Sequence, residues 1–208
     1  EASYSASLVL GVQHDLSAGA GYRIKTIDWG YLDGYHLEHH LSGFVEDRIT
    51  FLPQLIAVLG FRFDQHPLVG FTPSPRGALL IKPTSGQAVR ISVGTAFRNP
   101  TFLESYLNLT IPTGVVSGVG VQSRGSVSLR PENIFSAELG YVYEDSDFVS
   151  FEVAGYYERV ANLIALGSIV AEDQIQSPDE TVFIVGSSTF ENAEGSFHGG
   201  GAEIGVHA

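Results

Sequence analysis

The segment HLEHH, residues 36–40, is the part of this chain where side-chain chemistry is most concentrated. If it is extended, His36, Glu38 and His40 share one face, because successive side chains of a strand alternate. Two imidazoles and a carboxylate suit zinc, copper or nickel. The order is not H-E-x-x-H, so a helical metalloprotease site is not implied, and the competing reading is a polar loop running into a strand. A second candidate is AEDQIQSPDE, where Glu172, Asp173, Asp179 and Glu180 could hold a hard cation such as calcium. It lacks the glycine-turned spacing of a calcium loop, which favours a solvated acidic loop. Enzyme chemistry has little support. Ser, His and Asp are plentiful, but no G-x-S-x-G elbow is present. No phosphate-cradling glycine loop stands between a strand and a helix. The absence of Cys removes thiol nucleophiles, disulfides and thiolate metal sites. Neither enzyme activity nor a cofactor is expected.

The elements that must position these residues are strands. Val89, Ile91, Val93, Thr95 and Phe97 point one way, and Ala88, Arg90, Ser92, Gly94, Ala96 and Arg98 the other. The same alternation recurs in QLIAVLGFRFD, IFSAELGYVYE, FVSFEVAGYYE, GYRIKTID and GAEIGVH. Arg62, Arg90, Glu138 and Glu152 fall in the middle of the non-apolar faces. Buried without partners they would cost several kcal/mol each, so those faces are wet and the apolar faces must be covered by a second layer or by lipid. The connections decide between these. HDLSAG, FLPQ, KPTSGQ and EDSD read as tight turns, whereas the stretches near 28–40, 65–75, 98–132 and 160–198 read as long loops. Short turns at one end and long loops at the other, along about nine strands of roughly 9–11 residues, fit a membrane barrel better than a sandwich. The expected fold is therefore all-β, an antiparallel transmembrane β-barrel segment.

Composition agrees with this class and narrows it. The 208 residues carry 11 Lys+Arg against 23 Asp+Glu, a formal net charge of −12. Nucleic acid as a partner and a polybasic grip on anionic lipid are both disfavoured. No apolar run is long enough for a transmembrane helix, and SASLVLGVQHD is too short and lacks the basic flank of a secretory signal. With no Met and Glu at position 1, the chain is expected to be a processed product or an internal piece.

At VGTAFRNPTFLESY the chain resembles the barrel of TonB-dependent outer-membrane receptors, in which a strand runs into an A-F-R-x-P-T-x-x-E turn. The matching residues are Ala96, Phe97, Arg98, Pro100, Thr101 and Glu104, ending near Tyr106. Upstream, Gly60, Arg62, Phe63 and Asp64 resemble the family's G-x-R-(Y/F)-D, and Ser74 to Pro83 the S-P-R stretch after it. Downstream, Leu129, Pro131, Glu132, Glu138, Gly140 and Tyr141 resemble its L-x-P-E strand. The resemblance covers roughly residues 40–208. It implies that 1–208 is part of a barrel of about 22 strands, with the plug domain and the remaining strands outside this chain. It further implies the outer membrane of a Gram-negative bacterium, contact with its lipid, and a small-molecule nutrient, a ferric siderophore or similar chelate foremost. Import would be energised by a TonB-type protein acting through the plug. Arg62, Arg76 and Arg98 would then face the lumen toward the extracellular end. There they would meet an anionic ligand, or pair with Asp64, Glu104 or plug carboxylates. Arg98 and Glu104 are expected to brace the loop that starts at this turn, and His36, Glu38 and His40 would serve metal capture at the surface. The alternatives are a small self-contained outer-membrane barrel acting as adhesin or pore, and a soluble carbohydrate-binding sandwich.

Overall fold

The computed structural model describes residues 2–114, 116–145, 149–176 and 182–207, with the backbone alone at 145 and 173–176. Nine strands form one antiparallel sheet, and two of the connections between them build a smaller sheet at one end. The large sheet begins with β1 (Ala2–Leu10), β2 (Val12–Ile27), β3 (His36–Leu52), β4 (Leu55–His66), β5 (Gly70–Ile81) and β6 (Gln87–Arg98). A helix, α1 (Phe102–Tyr106), and strands β7 (Asn108–Pro112) and β8 (Val119–Arg124) follow before β9 (Glu132–Asp145) and β10 (Val149–Ala161) return to it. Strands β11 (Ile164–Leu166), β12 (Val170–Gln176) and β13 (Phe183–Asn192) precede the last member, β14 (Ser196–His207). The order β1-β2-β3-β4-β5-β6-β9-β10-β14 is a meander. Strands β1 and β14 lie at its two edges and, among the described residues, do not pair with each other. The sheet is thus an open wall, and the self-contained closed barrel is not formed.

Its two faces differ as the alternation requires. The convex face exposes Tyr22, Val45, Leu59, Ile91, Leu139 and Ile204, and no second layer covers them among the described residues. The concave face carries Glu46, Arg48, Arg76, Arg90, Glu138 and Glu152 around a space of about 1060 Å³. Only five hydrophobic side chains are buried among the described residues, and four of them (Leu32, Leu129, Ile164 and Ile184) belong to the connections or the small sheet. A soluble sandwich would bury its apolar face, so the sandwich reading fails here.

Several connections differ from the sequence reading. HDLSAG, residues 14–19, lies inside β2, and the turn before it is the single residue Gly11. Residues 65–75 are not a long loop, because β4 and β5 are joined by residues 67–69 alone. His36 to His40 already belong to β3, which leaves residues 28–35 as that loop. Strands β2 and β3 run to 16 and 17 residues, longer than the roughly 9–11 residues of a tilted transmembrane strand. On the concave face the register sets Glu46, Gly60, Arg76 and Gly94 side by side across β3 to β6. Arg76 lies flat across Gly60 to reach Glu46. A Cβ on Gly60 would stand 2.8 Å from the Arg76 Nε, so the missing side chain is what opens that path.

Candidate ligand-binding site at the loop end

The large sheet delivers β6 and β9 to the same end, and the chemistry there centres on Arg98. Residues Asn99 and Pro100 end the strand, since proline cannot continue the ladder. Thr101 then caps helix α1 and Glu104 completes a reciprocal capping box with it. That cap fixes the Glu104 carboxylate, which receives Arg98 NH1 and NH2 at 2.9 Å each. The other edge of the guanidinium donates to Glu132 on β9, from Nε at 2.7 Å and from NH2 at 2.6 Å. Glu132 also accepts the backbone N–H of Ile164 at 2.9 Å. One arginine therefore ties the first long loop, its return strand and the second long loop through two carboxylates, a geometry suited to a planar five-donor fork.

The loops are themselves ordered into a five-stranded sheet. Strand β13 runs parallel to β8 and antiparallel to β11 and β12, while β8 pairs antiparallel with β7. The interior of this sheet mixes apolar and polar side chains, with Ile164 and Ile184 buried beside hydroxyls and an amide. Gln122, Ser123, Ser187 and Ser188 are buried, and Gln122 donates to Asn108 at 2.6 Å while accepting from Arg124. Asn192 pins β13 to the end of the large sheet. It accepts from the Arg130 N–H at 2.8 Å and donates to the carbonyls of Arg130 (2.9 Å) and Asn162 (2.8 Å). The first long loop also holds residues 28–35. Leu32 bridges to Leu107, and the Asp33 N–H donates to the Tyr106 carbonyl at 3.0 Å.

The structure separates the three residues of the HLEHH motif. His36 turns to Asp33 (Nε2 to Oδ1, 2.5 Å) and stacks on the Tyr106 ring at 3.6 Å. Glu38 and His40 stay together at 2.9 Å, and the third position is taken by His66, whose Nε2 is 3.6 Å from the Glu38 carboxylate. The β3–β4 pairing places His66 beside His40, one step beyond the Leu41–Gln65 pair. All three lie at the loop end, on the face that carries Glu46 and Arg62. Sequence spacing could not find His66, because it is 26 positions from His40 and adjacent only through strand register. Arg62 binds Asp64 (2.7 and 3.0 Å) and Arg76 binds Glu46, so each of the three arginines has a carboxylate partner. Of the acidic stretch 171–180, Glu172 accepts from Ser187 and approaches Arg124 at 3.4 Å. The side chains of Asp173, Asp179 and Glu180 lie outside the described residues.

Two groups on α1 titrate away from their ordinary positions. Burial pushes the Glu104 carboxyl up, but the hydrogen bonds from Arg98 and Thr101 outweigh it and hold it below the usual carboxylate value of 4.5. Burial, with Glu38 and Asp33 nearby, pushes the Tyr106 hydroxyl up. A carboxyl depressed by folding contributes stability that is complete above its unfolded value and is lost as pH falls through the folded one. Hydrogen-exchange protection of the Ser105 and Gly125 amides is therefore expected to hold from neutrality to about pH 5, and to fall once pH drops below 4.5. Protection that declines already between pH 7 and 5 would show that another group controls the loop.

A meandering sheet with a lipid-type outer face, a charged inner face and stapled loops at one end defines a wall of an outer-membrane-type β-barrel. The chain belongs to the TonB-dependent receptor β-barrel family: the family model "TonB dependent receptor-like, beta-barrel" matches residues 1–202. This is a family of receptors and transporters, not enzymes. The structure is similar to the siderophore receptor of Acinetobacter baumannii, with TM-score 0.76 at 16% identity over 98% of this chain and 33% of that one. It is also similar to the ferric enterobactin receptor of Pseudomonas aeruginosa in complex with enterobactin, with TM-score 0.80 at 20% identity over 97% and 32%. The haemophore receptor of Serratia marcescens, in complex with its haemophore and haem, gives 0.71 at 14% identity over 98% and 38%. These similarities establish the fold, and the chain spans about a third of each of those proteins. No curated protein sequence matches the chain.

Proposed function

We propose that this chain forms part of the wall and outer mouth of a Gram-negative outer-membrane receptor. In this reading the receptor imports a scarce nutrient, a ferric siderophore or similar chelate, using energy relayed by a TonB-type protein through a plug domain. The observation that carries this reading is the two-faced sheet, with exposed apolar side chains outside, charges inside and braced loops at one end only. The convex face meets membrane lipid, and the concave face forms a watery path along which the cargo passes without covalent chemistry. Preference for an anionic chelate rests on Arg62, Arg76 and Arg98 and on the ligands named for two of the similar structures. The Arg62 and Arg76 side chains are 53% and 67% exposed despite their partners. Pairs so exposed to solvent are weak, so a ligand carboxylate or catecholate can take the place of Asp64 or Glu46 at little cost. The test is uptake of iron-55 complexed with a catecholate siderophore by iron-starved cells, with and without the gene. Loss of uptake in the deletion strain, and equally on collapsing the proton gradient, is the expected result. Unchanged uptake together with no binding of the ferric complex to the purified receptor would overturn the reading.

A further inference from the structure

We propose that Glu38, His40 and His66 form a binding site for a zinc-class divalent ion on the concave wall, just inside the loop end. The three donor atoms lie within 4.8 Å of one another. The donors around a tetrahedral zinc stand about 3.3–3.5 Å apart, given bonds of about 2.0–2.2 Å. The 2.9 Å and 3.6 Å separations from the Glu38 oxygen bracket that spacing, and the remaining separation, between the two imidazoles, stays within 4.8 Å. Two imidazoles and one carboxylate make up a donor set that zinc, nickel and copper accept, and they leave a position open for water or a further donor.

Burial separates this group from ordinary surface histidines. Glu38 is 5% exposed and His66 1%, and the two ring centroids of His40 and His66 are 4.8 Å apart and nearly perpendicular. A second observation points the same way. Thr72, on β5 and on the same concave face, is 5% exposed, and its hydroxyl has no hydrogen-bond partner among the described residues. It pairs in register with Asp64, two residues from His66. A buried hydroxyl without a partner calls for an ordered water or an ion beside it. Lys25 stands opposite Glu38 in the β2–β3 register. Loading also reaches the neighbouring turn. The Leu68 N–H now donates to His66 Nδ1 at 3.2 Å. Binding an ion at Nε2 puts the ring proton on Nδ1, which ends that contact and shifts residues 67–69.

This inference goes beyond the uptake reading and is tested apart from it, since it concerns the ion alone and not a chelate. The experiment is isothermal titration of the full-length, tag-free receptor in detergent with zinc sulfate. One high-affinity zinc per chain is expected, weakened at least about tenfold in His40→Ala and His66→Ala and unchanged in His36→Ala, because even indirect partners of a metal are worth about 10–100-fold. Glu38→Gln keeps the side-chain volume and is expected to show the same loss, which guards against misfolding of the His66 variant. Absence of a stoichiometric zinc site in the wild type, or zinc affinity in His40→Ala and Glu38→Gln equal to that of the wild type, overturns the proposal. Ferric-siderophore binding of Glu38→Gln, measured in parallel, separates failure of this site from failure of the uptake reading.

Discussion

Arg98→Ala is expected to release both long outer loops while the nine-stranded sheet stays intact. The substitution removes four charge-assisted hydrogen bonds and leaves Glu104 and Glu132 facing one another without a cation. Their side chains are 13% and 8% exposed, so water replaces the lost partner poorly, whereas the Arg98 side chain is 40% exposed. The cost is therefore placed at about 2–3 kcal/mol, below the about 3–5 kcal/mol of breaking a fully buried pair. Glu132 is also the acceptor for Ile164, so the second loop loses its first anchor when the carboxylate reorients. Arg98→Lys is expected to fare little better, because one ammonium cannot supply two forks to two carboxylates. Hydrogen exchange read by mass spectrometry is the measurement. Faster exchange across residues 101–126 and 163–166, with β3, β4 and β5 unchanged, is the expected pattern. Unchanged protection of Ile164 would show that the clasp is not what holds the loops.

The sheet and the site were legible to different depths, for physical reasons. Strand faces could be read because the side-chain period of 2 is a local property: Val89 to Phe97 needs no partner to declare which side is greasy. Turn positions were harder. HDLSAG has the composition of a turn, yet Ser17, Gly19 and Gly21 occupy the concave side of β2, where small residues make room for neighbours such as Phe44. The loop sheet was hidden for another reason. Its interior sets Gln122, Ser123, Ser187 and Ser188 among Ile164 and Ile184, so its strands show no steady apolar alternation, and β8 and β13 meet in parallel from segments about 60 residues apart. Arg98 and Glu104 could be paired from the sequence because they sit six residues apart within one turn. Glu132 and Asn192 were given no partner from the sequence, since both act across connections that the strand pattern does not specify.

Gly125→Ala is expected to disturb the same loop cluster without touching any charge. The chain leaving β8 crosses the C-terminal end of α1 so closely that a Cβ at position 125 would stand 2.4 Å from the Ser105 carbonyl carbon and the Tyr106 nitrogen. These are backbone atoms, so no side-chain rotation relieves the clash, and one of the two segments must move. The movement breaks contacts that the crossing now makes. Gly125 N–H donates to the Leu107 carbonyl at 2.7 Å and Ser126 N–H to the Glu104 carbonyl at 2.9 Å. Overpacking of this kind costs about 1–3 kcal/mol. Because Glu104 belongs to the displaced segment, the effect reaches the Arg98 clasp, and the double variant with Arg98→Ala is expected to lose less than the sum of the two single losses. Residues 28–35 are expected to loosen as well, since they hang on Tyr106, Leu107 and Asn108. Loop-opening free energies from native-state hydrogen exchange of the two single variants and the double variant decide the matter. Strict additivity would mean that the crossing at Gly125 and the Arg98 clasp hold the loops independently, and that the loop cluster is fastened at two unrelated points instead of one.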